Sequence, residues 1–390
     1  MRETQALARQ PLTLDNVQSS FERRPACWQH VTQKEWQSYA WQMANRITNA
    51  TALARLMPLT HDEQQAIDAV SLHFGMVISP HYAAMMRPEL GAACALRMQA
   101  VPSLLECEKH EDLMADPLGE GRHAVSLCAT KRYPDRVMIY TTHECAMRCR
   151  HCTRRSRVGL KEAITRDDLN EAVARVMADE HVRDVLVSGG DALCLTNDRL
   201  EHVLSALHAC PHLDVIRLCT RLPCTMPQRI LSDKALQDIL RRYAPLYVNT
   251  QFNHPDEASM ESAQALEILR QCGCILGNQS VLLRGINDSA DILEPLNRWL
   301  LKQGCRPYYL FLCDVAQGTH HFRTSIQTGL DIIKTLRGRL SGLGIPHYVI
   351  DLPDGYGKVD LCPESRILQT ADGIVTFRNW FGADVPYHDV

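Results

Sequence analysis

From Arg136 onward, short β-rich runs alternate with longer amphipathic ones, and no other property of this chain restricts its fold as much. Residues 137–141, 184–187, 215–219, 246–250, 275–283 and 307–312 read as strands, and the segments between them read as helices. Parallel strands need a crossover connection, usually a helix, and here one strand–helix unit recurs roughly every 30 residues. The expectation is an α/β fold, a partial (β/α)6 barrel, with a seventh extended run at 348–352 after a last helix at 325–340. Residues before about 125 lack this alternation and read as helical. Trp36, Ala40, Trp41, Met43, Ala44 and Ile47 give one apolar face to a helix over 33–49. A second helix runs from His61 to Phe74 after Thr60, with Asp62 and Glu63 in the first turn, where the helix dipole favours them. The expected domains are a helical region at 1–125, which caps the barrel or pairs subunits, the barrel at 126–352, and a C-terminal segment at 353–390.

In such barrels the chemistry gathers at the C-terminal ends of strands. After the first strand comes Cys145-Ala146-Met147-Arg148-Cys149-Arg150-His151-Cys152. A closed zinc site needs four ligands, whereas three thiols at this spacing suit a cubane iron–sulfur cluster with one iron left open, the iron that S-adenosylmethionine takes in radical enzymes. The bland alternatives are a chance grouping or a zinc knuckle borrowing His143 or His151. After the second strand comes Ser188-Gly189-Gly190-Asp191, where glycine lets backbone approach a ligand and Asp191 is available to a cationic amine. The run Asp351-Leu352-Pro353-Asp354-Gly355-Tyr356-Gly357-Lys358 sets an amine beside glycines, as a Schiff-base lysine for pyridoxal phosphate requires; a solvated turn is the plain alternative. Arg132 and Arg136 offer guanidinium groups to a phosphate, with Tyr133 between them to stack or donate. Asp314 and Asp351 each end a strand and together would form an anionic pocket, while Arg154 could clamp a carboxylate.

Charge and cysteine usage exclude other classes. The net charge of −3 offers no basic stripe for nucleic acid. The N-terminal residues contain no apolar signal core, and no run of about 18 uncharged apolar residues occurs. A cytoplasmic protein with no membrane partner is therefore expected. Its 16 cysteines are expected to be reduced, since a disulfide scaffold belongs to small secreted chains. Cys94, Cys128, Cys210, Cys219, Cys224 and Cys305 sit singly in apolar segments as small hydrophobes, and Cys272 and Cys274 read as structural.

Over roughly residues 36–381 the chain resembles the lysine 2,3-aminomutase family. The resemblance rests on Trp41-Gln42-Met43-Ala44-Asn45-Arg46-Ile47, Arg132-Tyr133-Pro134-Asp135-Arg136-Val137, Cys149-Arg150-His151-Cys152-Thr153-Arg154-Arg155 and residues 184–193. Phe252-Asn253-His254-Pro255, residues 277–285 and His321-Phe322-Arg323-Thr324 continue it. It implies a radical-SAM barrel in which Cys145, Cys149 and Cys152 bind a [4Fe–4S] cluster. Ser188, Gly189, Gly190, Asp191 and Gln279 would contact S-adenosyl-L-methionine. Lys358 would carry pyridoxal 5′-phosphate, held by Arg132, Tyr133 and Arg136. Arg154 would take the substrate carboxylate, and Asp314 with Asp351 its terminal ammonium. The implied reaction moves the α-amino group of a cationic amino acid, L-lysine first, to the β-carbon through a 5′-deoxyadenosyl radical and a pyridoxal phosphate aldimine.

Two acidic residues argue against the glutamate-using relatives. An arginine-specific enzyme is the alternative within the class, a lysine-modifying relative that works beside a translation factor is another, and an iron–sulfur or zinc module is the non-enzymatic one. A flavodoxin or ferredoxin is the implied electron donor. Asp354 and Tyr356 interrupt the family's glycine run, and Gln251 stands where a histidine is expected. Ser289 replaces a zinc-ligating cysteine, and none follows Cys362. A homo-oligomer, taken as a dimer, without the interfacial zinc site is therefore expected.

Overall fold

The computed structural model describes residues 17–362, 367–371, 374–378 and 383–388. Its main sheet opens with the antiparallel pair β1 (Ala124–Ser126) and β2 (Ala129–Tyr133), and β2 turns back antiparallel into β3 (Arg136–Tyr140). From β3 the strands run parallel in sequence order: β4 (Asp184–Ser188), β5 (Val215–Cys219), β6 (Leu246–Thr250), β7 (Cys274–Leu282), β8 (Cys305–Leu312) and β9 (His347–Leu352). β10 (Gly357–Asp360) then pairs antiparallel with β9, and the sheet order runs unbroken from β1 to β10. A separate three-stranded antiparallel sheet holds β11 (Ile367–Ala371), β12 (Ile374–Arg378) and β13 (Asp384–His388).

Helix α1 (His61–Phe74) belongs to the N-terminal layer, and α2 (Arg166–Met177), α3 (Asn197–His208), α4 (Lys234–Arg242), α5 (Met260–Gln271), α6 (Ala290–Lys302) and α7 (Ile326–Arg337) occupy the six crossovers. This is the expected α/β partial barrel. Strand residues Val137, Ile139, Val185, Val187, Leu218, Val248 and Leu310 are buried in one core with helix residues Leu169, Leu200, Leu240, Leu266, Leu296 and Ile333. Each such side chain contributes about 1.5–3 kcal/mol by leaving water. No helix among the described residues is long and apolar enough to cross a membrane.

The N-terminal expectation holds in part. Helix α1 spans the expected residues, closed by a capping box in which Thr60 and Glu63 satisfy each other's backbone N–H, an arrangement worth about 1 kcal/mol. The helix expected over 33–49 is instead two short ones, Gln33–Trp36 and Tyr39–Ala44. Ser38 restarts the chain by accepting the N–H of Trp41 at 3.3 Å. The break rotates the apolar face: Ala40 and Ala44 are exposed, and Gln42 is buried, donating to the Trp36 carbonyl at 2.8 Å. This layer frames the cysteine loop through backbone bonds, Arg148 N–H to the Val77 carbonyl at 2.9 Å and Arg150 N–H to the Gln99 carbonyl at 2.8 Å.

Three features at the sheet edges bear on the site. Arg132-Tyr133-Pro134-Asp135-Arg136 forms the turn of the β2–β3 hairpin, with Tyr133 paired to Arg136. The boundary expected between 352 and 353 falls inside the β9–β10 hairpin, which sets Lys358 opposite Asp351. Between β7 and β8 the register slips, Asn278 pairing with Pro307 but Gln279 with Tyr309, and this bulge beside the cavity re-aims the residues around it.

Candidate active site

One cavity opens at the C-terminal ends of the parallel strands, lined together by Cys145, Cys149, Cys152, Asp314, Asp351 and Lys358. Ser188, Gly189, Gly190, Asp191, Gln279, Arg132, Tyr133, Arg136 and Arg154 line it too, so every residue expected to bind a cofactor or the substrate lines one cavity. The fold explains most of this convergence: the cysteines, the Ser188–Asp191 loop, Gln279, Asp314 and Asp351 stand on or just after parallel strands, and the antiparallel edge strands β2 and β10 bring Arg132, Tyr133 and Lys358.

The three thiols stand in the loop after β3. Cys145 and Cys152 pack on a buried cluster of Val70, Phe74 and Val158. Burial, then the neighbouring Cys149, pushes the Cys152 thiol up to about 11, and burial likewise raises Cys145. Sulfurs that resist one another's ionisation call for positive charge between them. His151 is buried and engaged with Gln251 at 3.0 Å. The spacing fits a polynuclear cluster better than a zinc knuckle.

A residue that local sequence patterns did not mark completes this corner. Arg221, just past β5, is buried, and its Nη1 donates to Cys149 Sγ at 2.7 Å. Its Nη2 donates to Glu257 at 2.7 Å and Gln99 at 2.8 Å, and its Nε to the Gln251 carbonyl at 3.2 Å. The strand-end rule that flagged the other residues would have found it. Arg221→Lys is expected to keep the cavity charge but lose the fork, shifting the electron paramagnetic resonance spectrum of the reduced cluster and lowering its reduction potential, since hydrogen bonds to cluster sulfur tune that potential. An unchanged potential would remove Arg221 from this role.

The glycine pair also has a structural task. Gly189 has φ 131°, and a Cβ on Gly190 would sit 2.2 Å from the Glu144 carbonyl oxygen. Both glycines let the loop after β4 lie directly on the cysteine loop, with Gly190 N–H donating to the Thr142 carbonyl at 2.6 Å and Asp191 N–H to that of Glu144 at 2.8 Å. The Asp191 carboxylate accepts from Thr220 Oγ1 at 2.6 Å, Arg221 N–H at 2.7 Å and Leu193 N–H at 3.0 Å. It is a brace between loops before it is a ligand for an amine.

On the far wall, Lys358 is the one lysine among the described lining residues. Its Nζ lies 3.1 Å from Asp351 Oδ1, which also accepts from Arg132 Nη2 at 3.1 Å. The Lys358 backbone N–H donates to the Tyr133 hydroxyl at 2.9 Å. Arg132 Nε is buried with no partner, a donor aimed where an anion would satisfy it. Arg136 pairs with Asp135 at 2.9 Å and lies over the Tyr133 ring. These groups fit a phosphorylated aldehyde. The two departures in the lysine loop face away from it: Tyr356 is 80% exposed, and Asp354, at φ 58°, pairs with Arg122 at 3.2 Å. Aspartate tolerates that left-handed backbone better than most residues. Gln251, by contrast, does line the cavity, as does Cys219, expected to be a buried hydrophobe.

Asp314 and Asp351 are brought together. Burial, and next the Asp351 charge, pushes the Asp314 carboxyl up to about 6, opposed by the Thr153 hydroxyl at 2.5 Å. Arg154 is oriented by a buried carboxylate the sequence did not reveal, Glu120, which accepts from its Nε at 2.8 Å. All 16 cysteines are free thiols.

A family model described as lysine-2,3-aminomutase matches residues 333–389. The glutamate 2,3-aminomutase of Clostridioides difficile is 41% identical over 92% of this chain and 84% of that protein. The L-lysine 2,3-aminomutase of Clostridium subterminale is 37% identical, over 94% of this chain and 88% of that one. The enzyme of the same name from Bacillus subtilis is 38% identical, over 92% and 76%.

Proposed function

Because the chain belongs to the lysine 2,3-aminomutase family and is an isomerase, we propose that it moves the α-amino group of a cationic amino acid, L-lysine, to the β-carbon. The observation that carries this reading is a single cavity lined by three thiols, one lysine and two aspartates. When bound, a reduced iron–sulfur cluster with S-adenosylmethionine supplies a carbon radical that takes an unactivated hydrogen, and pyridoxal phosphate supplies a π-system across which nitrogen passes between adjacent carbons.

The chain's own residues do the rest. Cys145, Cys149 and Cys152 would hold the cluster, with Arg221 donating to its Cys149 sulfur. The 188–190 backbone and Gln279 would hold S-adenosylmethionine, with Asp191 keeping that loop against the cysteines. Lys358, Arg132, Tyr133 and Arg136 would hold pyridoxal phosphate. Arg154, fixed by Glu120, would take the substrate carboxylate. Committing Arg132 and Lys358 to the cofactor takes both cations from Asp351, which then needs a new one. A substrate ammonium supplies it and relieves the repulsion that raises Asp314. The side-chain carboxylate of glutamate would add a third negative charge there.

The pH dependence tests the assignment. Asp314 binds a cation only when ionised, and its carboxyl titrates at about 6, so its contribution is present above that pH and lost as pH falls through it. The KM for lysine is expected to rise about tenfold between pH 7 and 5, as a single protonation dictates. Asp314→Asn should raise KM at every pH and flatten the profile. A wild-type profile without this inflection, or a variant that retains it, removes Asp314 from substrate binding.

A further inference from the structure

Away from the cavity, the segment after the 3-10 turn Leu104–Cys107 faces the turn His320–Phe322 beyond β8. Glu108 Oε2 lies 3.1 Å from His320 Nε2 and 3.5 Å from His110 Nε2. All three ligand atoms fall within 4.8 Å of one another, and the two imidazole rings, tilted by 37°, have centroids 3.8 Å apart. We propose that Glu108, His110 and His320 bind a divalent transition-metal ion of the zinc class, and that the ion staples the N-terminal layer to the loop carrying Asp314.

Geometry and donor chemistry both point this way. Tetrahedral zinc with bonds of about 2.0–2.1 Å to nitrogen and oxygen sets its ligand atoms about 3.3 Å apart. The two Glu108 distances straddle that value. Two imidazole nitrogens and one carboxylate suit zinc and its neighbours, whereas calcium and magnesium select oxygen. Glu108 and His110 are exposed and His320 is half-buried, leaving room for water to complete the coordination.

The position gives the ion something to do. Met114 N–H donates to the Val315 carbonyl at 2.8 Å, and Gln317 N–H returns to the Met114 carbonyl at 2.9 Å. Thr319 Oγ1, beside His320, donates to the Ala316 carbonyl at 2.7 Å and lies 3.2 Å from that of Asp314. A metal joining His110 to His320 would close this seam at its outer end and hold the backbone of Asp314 in place.

The test uses cluster-loaded protein handled anaerobically, stripped with a chelator and then dialysed against zinc chloride, with zinc counted by mass spectrometry and unfolding followed by calorimetry. Wild type is expected to retain one more zinc per chain than His110→Ala or His320→Gln. Affinity should fall by more than the about 10–100-fold that loss of an outer-shell partner costs. Saturating zinc should raise the wild-type melting temperature by several degrees and leave both variants unmoved, since a ligand stabilises only the state that binds it. The other thiols are common to all three proteins, so the difference counts this site alone. Equal zinc in all three, or a zinc-dependent rise that survives both substitutions, would overturn the proposal.

Discussion

Lys358→Ala is expected to fold as the wild type does and to lose turnover by about 10⁴-fold or more, the scale on which removal of a covalent catalytic group acts. Lys358 is the one amine among the described residues lining the cavity, so no neighbour substitutes for it. Stability of the cofactor-free protein should change by no more than about 1 kcal/mol, because the Lys358 side chain is 29% exposed and Asp351 there keeps its pairing with Arg132. The readout that separates chemistry from folding is the visible band of bound pyridoxal phosphate, present in wild type and shifted to that of free aldehyde in the variant. An unaltered spectrum together with unaltered activity would make Lys358 a surface lysine after all.

Cys152→Ser should be as severe by a different route. Its sulfur faces the cavity from a loop pinned on every side: Arg148 and Arg150 by backbone bonds to the N-terminal layer, and Arg150 and Arg155 by the buried Glu106 at 2.5 Å. The loop therefore cannot bring another thiol into place, and serine does not replace a thiolate on iron. Iron and sulfide content should collapse with activity, while the melting temperature of the cofactor-free protein stays near wild type. Retention of full iron content would mean that the metal centre lies elsewhere.

Much of this was legible in the sequence because the decisive signals are local. Three cysteines within eight positions and the strand–helix alternation each need only a short window. The pairing of Asp314 with Asp351 was readable because both end strands, and a parallel barrel gathers strand ends. What escaped depends on contacts between distant positions. Glu120 meets Arg154 across 34 residues, and Arg221 meets Cys149 across 72, and no periodicity records either pairing. The 33–49 segment misled because its spacing suits one helix while Ser38, a strong cap, stops it. The Gly189–Gly190 pair was rightly a close-approach site, but the backbone it approaches is the cysteine loop.

Overall likeness and pocket chemistry pull in different directions on the substrate. The chain is 41% identical to a glutamate enzyme and 37% to a lysine enzyme, figures taken over nearly the whole chain and not over the pocket. In the proposed reading the substrate's far end meets Asp314 and Asp351, and both line the cavity. Reconstituted enzyme incubated separately with L-lysine, L-arginine and L-glutamate, with products identified by mass spectrometry and NMR, measures the point directly. The expected result is β-lysine from lysine and no product from glutamate. Conversion of glutamate, or the absence of any β-amino acid from lysine, would contradict the account.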